Sequence, residues 1–280
     1  MSDVRLPYFD FLLSQLDKKN AAVETSFGRH VHWGYWADPA SARYEDEDYG
    51  RAAEQLTLEL CQMVGVKEGE KLLDVGCGFG GTIASLNERF DNLDMTGLNI
   101  DERQLERARS IVVPRASNRV EFVQGDACKL PFPDASFDRI LAVECIFHFP
   151  SRDDFFREAF RVLKPGGVLA LSDFVPSPLF LPALWIGRAK WLKKLNDFGD
   201  LNFEATFSVY ERLARDAGLE FAVRRNITRN ILPTYGYIEA MLKRGSDKGA
   251  GLIFKSILAM GRGLGKSGLL NYCLLSFRKP

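Results

Sequence analysis

A glycine-rich stretch is the part of the sequence whose residue types and spacing most clearly indicate chemistry. Residues 72–82 read LLDVGCGFGGT, in which an apolar run ends at Asp74, and Gly76, Gly78 and Gly81 match the pattern GxGxxG. Glycines carry no Cβ atom, so a ligand can approach the backbone closely, and the helix expected after the turn offers free N–H groups. The stretch therefore indicates a binding site for a nucleotide or for a ligand that resembles one.

The same pattern fits a nicotinamide-dependent dehydrogenase, but other features of the sequence argue against a dinucleotide. Asp74 precedes the glycines, where a carboxylate would repel a pyrophosphate and attract a cation. The strand expected after the turn ends at Asn99, whereas the ribose of NAD is usually bound by an acidic residue. The glycine turn also follows a long segment that has no strand pattern. These features favour a cationic ligand.

The elements that would position the turn alternate between the periods of strands and helices. The run FDRILAVECI at 137–146 is continuously apolar, as in a strand of a parallel sheet that is buried on both faces. Further strands are expected at 70–75, 93–100, 118–126, 167–174, 219–228 and 269–277, and helices fill most of the intervals. This alternation predicts a doubly wound α/β sheet.

The composition of the chain narrows the classes of function. Lys plus Arg and Asp plus Glu number 37 each, so no overall field attracts nucleic acid, and no nucleic-acid partner is expected. The five cysteines contain no CxxC pair and there are three histidines, so we expect reduced thiols and no metal site. The sequence shows neither a signal-peptide pattern nor an apolar stretch long enough to span a membrane. The expected location is therefore the cytoplasm.

Four stretches of the sequence, taken together, resemble a known family. LLDVGCGFGG, GLNID, QGDACKLPFPDASFDRILAVECIFHFP and RVLKPGGVLALSDF are similar, in this order and spacing, to the class I S-adenosylmethionine-dependent methyltransferases. The segment HVHWGYW resembles the small-molecule subgroup that includes tocopherol, sarcosine and sugar methyltransferases. The resemblance implies a Rossmann-like methyltransferase fold, with a seven-stranded, mostly parallel sheet, an antiparallel last strand and a helical cap. It also implies S-adenosylmethionine as the methyl donor and S-adenosylhomocysteine as the product.

The resemblance divides the chain into a cofactor-binding core and two flanking parts. Residues 1–49 would form an N-terminal helical cap and lid, and residues 50–175 the S-adenosylmethionine-binding core. Residues 176–280 would form an acceptor-cap insert and the last two strands. Large apolar residues expected near the acceptor are Phe174, Phe180, Leu181, Leu184, Trp185, Trp191, Phe198, Phe203 and Phe207. They indicate a hydrophobic acceptor such as a polyketide, terpenoid, quinone, lipid or peptide natural product, unless they only pack a cap helix.

The cofactor contacts implied by the resemblance lie at the carboxyl ends of the first four strands. Asp74 would stand close to the ammonium of the cofactor, and the glycine turn would pack against its methionine part. Asn99 would meet the ribose hydroxyls with a contribution from Gln104 or the N-terminal aromatics, because an amide cannot accept bidentately as a carboxylate does. Asp126 would accept a hydrogen bond from adenine. The expected set is Asp74, Gly76, Cys77, Gly78, Gly80, Asn99, Ile100, Gln104, Gly125, Asp126, Ala127, Glu144, Cys145, Tyr35 and Trp36.

Structural alternatives to these roles remain open. Asp126 could cap a turn, and Asn99 could be a strand-end turn residue, since Asn favours such positions. Cys77 and Cys145 are more simply read as small buried packing residues than as nucleophiles.

His148, a few residues after the fourth strand, is the expected general base. An imidazole titrates near neutrality and can take a proton from a hydroxyl acceptor, whereas the alternative is a helix-entry residue that binds a backbone carbonyl. Asp173, at the end of the fifth strand, is the second catalytic candidate and would orient His148 or hold the acceptor hydroxyl. Its alternative is a loop-start residue that binds its own backbone.

The aromatic segment HVHWGYW has two interpretations. Tyr35 and Trp36 are expected to close over the sulfonium as a lid, because aromatic faces attract such cations. His30 and Trp33 are expected to pack the cap onto the core. A metal site at His30 and His32 is not expected, because the sequence offers no third ligand.

The expected reaction is O-methylation, because a histidine base suits a hydroxyl acceptor. Methylation of nitrogen or carbon, and a binding protein that retains the fold without the chemistry, remain as alternatives. The insert also carries a set of basic residues beside tryptophans, so a peripheral membrane contact is a further possibility. Those basic residues are Arg188, Lys190, Lys193 and Lys194.

Overall fold

The structure is a computed structural model that describes residues 7–115, 117–187, 204–244 and 252–280. These residues form one sheet of β1 (Lys71–Val75), β2 (Asp94–Asn99), β3 (Arg119–Gln124), β4 (Phe137–Val143), β5 (Leu163–Pro176), β6 (Glu220–Asn226) and β7 (Leu270–Arg278). The strand order is β3-β2-β1-β4-β5-β7-β6. Strands β1 to β5 pair in parallel, and β7 runs antiparallel to both β5 and β6. The expected doubly wound seven-stranded sheet with an antiparallel last strand is confirmed.

Eleven helices are found in the described ranges. They are α1 (Pro7–Asp17), α2 (Ala21–Phe27), α3 (Asp46–Val64), α4 (Gly81–Arg89), α5 (Glu102–Ile111), α6 (Arg152–Val162), α7 (Leu181–Gly187), α8 (Phe207–Ala217), α9 (Thr228–Ile231), α10 (Pro233–Arg244) and α11 (Leu252–Lys266). Local sequence explains where α5 and α6 begin, because the Asp101 and Ser151 side chains accept hydrogen bonds from the backbone N–H groups of Arg103 and Asp154. Of the helices described, none is long and apolar enough to cross a membrane.

The apolar core lies on both faces of the sheet. Alternate residues of β7 point to opposite faces, so Phe277 packs with Phe155, Phe156 and Tyr210 of α6 and α8. Tyr272 belongs to the other face, where the buried residues include Leu56 and Leu60 of α3. A smaller cluster joins Phe9, Leu12, Leu16 and Val23 of α1 and α2 to Phe79 of the glycine turn. The N-terminal helices are thus packed directly onto the turn.

The strand order defines where a ligand can enter. The chain moves outward from β1 through β2 to β3 and then returns to β4, which pairs with β1 on its other side. In such sheets the crossover connections separate at this point and leave a crevice outside the carboxyl ends of the strands. The glycine turn after β1 and the segment after β4 both open onto this crevice.

Candidate active site

The glycine turn has a backbone shape that requires glycine. Gly76 and Gly78 have φ values of +70° and +53°, in the left-handed region that residues with a Cβ rarely adopt. A Cβ on Gly76 would lie 2.6 Å from the Cβ of Cys145, so β1 and β4 approach closely there. A Cβ on Gly78 would meet only Gln104 Oε1, at 3.8 Å, so this face of the turn is open. The opening faces α5 and is the expected position of the cofactor.

Asp74 is the buried carboxylate beside the turn. Its side chain is 2% exposed, and Oδ2 has no hydrogen-bond partner among the described residues. Burial raises the pKa of Asp74 to about 8, although a hydrogen bond from Thr82 opposes the shift. Burying an ionised carboxylate without a partner is unfavourable, so a cation that paired with it would gain free energy. The ammonium group of S-adenosylmethionine fits this requirement.

The ends of β2 and β3 carry the other expected cofactor residues. The Asn99 amide donates to the backbone oxygen of Asp101 at 3.3 Å and to Gln104 Oε1 at 3.1 Å. Ile100 is fixed through its backbone oxygen by Gln124, and Gly125 N donates to Asn99 O. The polar groups expected at the ribose therefore lie side by side at one strand end.

Asp126 caps a turn, and its expected contact with adenine stays a prediction. Its Oδ1 accepts a hydrogen bond from Cys128 N at 2.8 Å, which caps the turn, while the residue as a whole is exposed at the crevice edge. Ala127 is buried in the core beside this turn. Cys77 and Cys145 are also buried, and burial raises the pKa of both thiols well above its usual range. The thiol of Cys145 donates to Val75 O at 3.1 Å, which is consistent with packing rather than nucleophilic chemistry.

Glu144 ends β4 in an uncommon conformation. Its φ is +53°, and its Oε2 accepts a hydrogen bond from Trp33 N at 2.7 Å. Burial raises the pKa of Glu144 to about 8, and the Trp33 hydrogen bond opposes the shift. A second buried carboxyl group thus lies at the end of β4, where the backbone of Trp33 holds it.

His148 lies in the short 3₁₀ helix Ile146–His148, directly after Glu144 and Cys145. Its Nε2 is 3.5 Å from the hydroxyl of Tyr8, and the two rings are stacked with centroids 6.2 Å apart. Nδ1 is buried and has no hydrogen-bond partner among the residues described. Burial lowers the pKa of His148 to about 4, so the imidazole is neutral at pH 7.

Asp173 requires a correction. The structure places it at 0% exposure, where it accepts hydrogen bonds from Arg152 Nη2 at 3.0 Å, from the Tyr210 hydroxyl and from Phe174 N. None of the described contacts joins it to His148. The expectation that Asp173 orients His148 or holds the acceptor is therefore wrong for this geometry, because a buried arginine neutralises the carboxylate inside the fold.

The aromatic segment also requires a correction. Tyr35 and Trp36 are buried: the Tyr35 hydroxyl accepts from Arg225 Nη2 at 3.0 Å, and Trp36 Nε1 donates to Asp48 at 3.1 Å. They pack the segment onto α3 and do not cover the crevice. Trp33, which was expected only to pack, is the residue whose backbone holds Glu144, and its ring lies 4.5 Å from the ring of Tyr235.

Helix α1 supplies site residues that the sequence did not reveal. Three consecutive residues contact three parts of the site: Tyr8 faces His148, Phe9 packs edge-on against Phe79 of the glycine turn, and Asp10 pairs with Arg103 beside β2. The sequence shows only an aromatic helix here. Nothing local in PYFDFLL indicates contacts with residues far along the chain.

Several remaining expectations concern histidines and the insert. His30 and His32 are buried, with His30 Nε2 2.7 Å from Glu54 and Nδ1 3.2 Å from His32 Nε2. The described residues contain no group of three or more acidic, His or Cys side chains placed to hold a metal ion. Trp191, Phe198, Phe203, the side chain of Trp185 and the insert's basic residues Arg188, Lys190, Lys193 and Lys194 lie outside the described part.

Comparisons with known proteins agree with this site. A family model described as a methyltransferase domain matches residues 73–171. The chain is 33% identical to the 27-O-demethylrifamycin SV methyltransferase of Amycolatopsis mediterranei, over 92% of this chain and 93% of that protein. It is 35% identical to the erythromycin 3''-O-methyltransferase of Saccharopolyspora erythraea, over 64% of each chain.

A solved structure of geranyl diphosphate methyltransferase in complex with S-adenosylmethionine shares the fold. The TM-score is 0.69 at 19% identity, over 90% of this chain and 99% of that one. The open glycine turn and the buried Asp74 carboxylate suit the same cofactor. The chain therefore belongs to the class I S-adenosylmethionine-dependent methyltransferases that act on small molecules.

Proposed function

We propose that the enzyme methylates a hydroxyl group of a fairly hydrophobic small molecule, and that His148 accepts the proton of that hydroxyl. The observation that carries this proposal is the state of His148: a neutral imidazole at the carboxyl end of β4, whose Nδ1 has no partner among the described residues. Two relatives whose names describe O-methylation give further support.

The cofactor and the chain contribute different parts of the methyl transfer. Bound S-adenosylmethionine supplies an electrophilic methyl carbon whose leaving group is a neutral thioether, so the chain need not protonate a leaving group. The chain holds the acceptor in line, which supplies on the order of 7–11 kcal/mol. His148 would remove the hydroxyl proton as a lone pair of the acceptor oxygen forms the new bond to the methyl carbon, and a positioned base typically adds about 10²- to 10⁴-fold.

The surroundings of His148 favour an apolar acceptor. Phe147 lies 4.5 Å from the His148 ring, and Trp33 contacts Phe174 at 5.7 Å between ring centroids. Small-molecule sites combine such aromatic walls with a few placed polar groups, which here are His148 and Glu144. Helix α1 closes the same region, because Tyr8 and Phe9 lie over His148 and the glycine turn. A closed apolar site excludes water that would compete with the acceptor.

The acceptor class follows from these walls and from the relatives. A polyketide-like natural product such as 27-O-demethylrifamycin SV is the first candidate, and a terpenoid, quinone, lipid or peptide metabolite has the same apolar character. Methylation of nitrogen or carbon in such a molecule, or cofactor binding without transfer, is the alternative. Mass spectrometry and NMR of the product distinguish these outcomes.

The test begins with a screen for transfer of a labelled methyl group. The panel contains 27-O-demethylrifamycin SV, erythromycin with a free 3''-hydroxyl and geranyl diphosphate. With the acceptor found, His148→Ala should lower kcat by about 10²- to 10⁴-fold and leave the Kd of S-adenosylhomocysteine nearly unchanged. Val113→Ala, on an exposed residue, is the matched control. An unchanged kcat in His148→Ala would mean that another group, or none, removes the proton.

A pH profile sharpens the test. Because burial lowers the pKa of His148 to about 4, the imidazole stays neutral as the pH falls from 8 to about 5. The kcat of the wild type at saturating S-adenosylmethionine and acceptor should therefore be flat over this range and fall below it, whereas an ordinary histidine would lose activity near its unperturbed pKa of about 6.5.

A further inference from the structure

A cluster of four polar side chains joins the aromatic segment to α3 and has no part in the proposed reaction. Its members are His30, His32, Glu54 and Thr57, which together form the histidine cluster. His30 Nε2 lies 2.7 Å from Glu54 Oε2, and His30 Nδ1 lies 3.2 Å from His32 Nε2. His32 Nδ1 lies 3.0 Å from the backbone oxygen of Trp33. The Thr57 hydroxyl lies 3.1 Å from His32 Nε2 and 3.4 Å from His30 Nδ1.

The two rings and the threonine are closed to water. The side chain of His30 is 4% exposed, and His32 and Thr57 are 9% and 0% exposed. A Cβ on Gly81 would lie 2.4 Å from His30 Nδ1, so the His30 ring rests directly against the first turn of α4. The hydrogen bonds of these buried groups are therefore made with one another.

The partners of each ring determine which nitrogens carry hydrogen. The backbone oxygen of Trp33 can only accept, so His32 Nδ1 carries a hydrogen. Burial raises the pKa of Glu54, but the contact with His30 and the charge of Arg29 together lower it to about 2. Glu54 is therefore a carboxylate, and His30 Nε2 also carries a hydrogen. With only one hydrogen on each ring, His30 Nδ1 and His32 Nε2 would face each other at 3.2 Å as two lone pairs.

One additional proton on His30 removes this conflict. His30 Nδ1–H then donates to the lone pair of His32 Nε2, while His30 Nε2–H donates to Glu54. The Thr57 hydroxyl cannot take the place of this proton, because its single hydrogen serves only one of the two lone pairs. Leaving a buried polar group unpaired costs about 5- to 150-fold in an equilibrium constant, so the contact between the rings favours the protonated form by a factor in this range.

The charges around the rings place this proton on His30. Burial lowers the pKa of His30, whereas the hydrogen bond and the charge of Glu54 raise it. Burial lowers the pKa of His32 to about 3, so the His32 ring stays neutral and accepts. The N-terminal end of α4 disfavours a cation, and Glu54 offsets this because the ion pair carries no net charge. The charged groups around this pair are Arg29 on the aromatic side and Glu88 and Arg89 on α4.

We propose that His30 and His32 hold one shared proton, and that His30 thereby positions the backbone of Trp33. The hydrogen bonds then run in one direction, from His30 to His32 and from His32 Nδ1 to Trp33 O. Trp33 N in turn donates to Glu144 Oε2 at the end of β4. His30 is a positioning residue, because it acts through Trp33. The inference does not depend on which group removes the acceptor proton.

NMR of the histidine ring nitrogens in the untagged protein reads the proton count directly. The chain has three histidines, so the spectrum contains three imidazoles. At pH 7 the wild type should show one imidazole with hydrogens on both nitrogens and two neutral ones, and His148→Ala should remove a neutral one. Three neutral imidazoles would overturn the proposal, and so would loss of the charged one in His148→Ala. The measurement uses neither acceptor nor cofactor, so its failure is distinct from a failure of the proposed reaction.

Two substitutions separate the two hydrogen bonds of His30. His30→Asn places an amide N–H at the position of Nδ1, and His30→Gln places one at the position of Nε2. His30→Asn keeps the donor to His32, so the Trp33 amide should exchange with solvent as slowly as in the wild type. His30→Gln keeps only the contact with Glu54, so at the same pH this amide should exchange about 10- to 150-fold faster, the factor expected for a lost hydrogen bond to a charged group.

Hydrogen–deuterium exchange followed by NMR measures these rates. Gln55→Ala, a glutamine of α3 that bonds Glu59, is the matched control and should leave exchange at Trp33 unchanged. Wild-type exchange in both His30 variants would show that the cluster only packs, and fast exchange in both would assign the positioning to Glu54. Either result would overturn the proposal. If a variant fails to fold, the ring spectrum of the wild type still decides it.

Discussion

The cofactor edge, at the ends of β1, β2 and β3, is built differently from the acceptor side, at the ends of β4 and β5. At the cofactor edge the polar groups come from short pieces of chain, as where Asn99 binds Gln104 five positions later. On the proposed acceptor side, two polar side chains contact partners far along the chain. Tyr8 lies 140 positions before His148, and Trp33 lies 111 positions before Glu144.

This difference separates two tasks of the enzyme. A local edge recognises a cofactor that all members of the family share, and its geometry is fixed by one strand, one turn and one helix start. The acceptor side depends on how α1 and the segment around Trp33 pack over the sheet. Changes around Trp33 should therefore alter the acceptor more than the cofactor edge, whereas α1 also packs on the glycine turn.

The largest effect that tests this comparison is expected at Asp173. Asp173→Asn leaves the charge of Arg152 buried without its counter-ion, with side-chain exposures of 6% and 0% in the wild type. Breaking such a pair costs about 3–5 kcal/mol, so the free energy of unfolding in urea should fall by that amount. Turnover measured well below the melting temperature should change little.

The matched control for Asp173 is a surface pair of the same chemistry. Asp153→Asn breaks the contact between Asp153 and Arg212, whose side chains are 48% and 43% exposed. The free energy of unfolding should fall by at most about 1 kcal/mol. One result at Asp173 would contradict the expected difference between a structural ion pair and the catalytic site. If Asp173→Asn kept the stability of the wild type and lost about 10²-fold or more in kcat, Asp173 would belong to the catalytic site after all.

The next prediction concerns the pH dependence of cofactor binding. Burial raises the pKa of Asp74 to about 8, so in the free enzyme the carboxyl is mostly protonated at pH 7. An adjacent ammonium would stabilise the carboxylate, so binding should release a proton. Affinity for S-adenosylhomocysteine should then rise as the pH increases from 6 to 8, by at most about tenfold per unit. Calorimetry in buffers of different ionisation enthalpy measures the released proton.

Glu144 is the internal comparison for Asp74, because burial raises its pKa to about 8 as well. Asp74→Asn should remove both the proton release and the pH dependence, and Glu144→Gln should leave them. The reverse result would place the ammonium at the acceptor side and would exchange the roles of the two carboxyl groups.

The same contrast explains what the sequence could predict. The sheet followed from periodicity, since alternating apolar runs and capped helices specify β1 to β5 in order. The turn, Asp74 and Asn99 could be proposed as cofactor residues because each lies at the end of a predicted strand. Asp173 was misassigned because a strand-end acid has the same sequence context whether it faces a ligand or a buried arginine. The burial of Tyr35 could not be predicted, because an irregular segment has no period that shows which of its rings pack inside.

The smallest effect is expected for Tyr8, and it tests whether α1 acts on the base or only covers it. Burial, and then the charge of Glu144, raise the pKa of Tyr8 above its usual range, so the phenol stays neutral. Its oxygen can accept a hydrogen bond from the Nε2–H of His148, which leaves Nδ1 as the basic nitrogen. Tyr8→Phe keeps the stacked ring and removes one neutral hydrogen bond, so kcat should fall by about 2- to 12-fold while the Kd of S-adenosylhomocysteine is unchanged. Tyr44→Phe, on an exposed ring, is the control. Phenylalanine packs against Phe9 as well as tyrosine does, so the substitution should not move α1. A loss of cofactor affinity instead of kcat would show that Tyr8 serves the cofactor edge. Helix α1 would then belong to both regions.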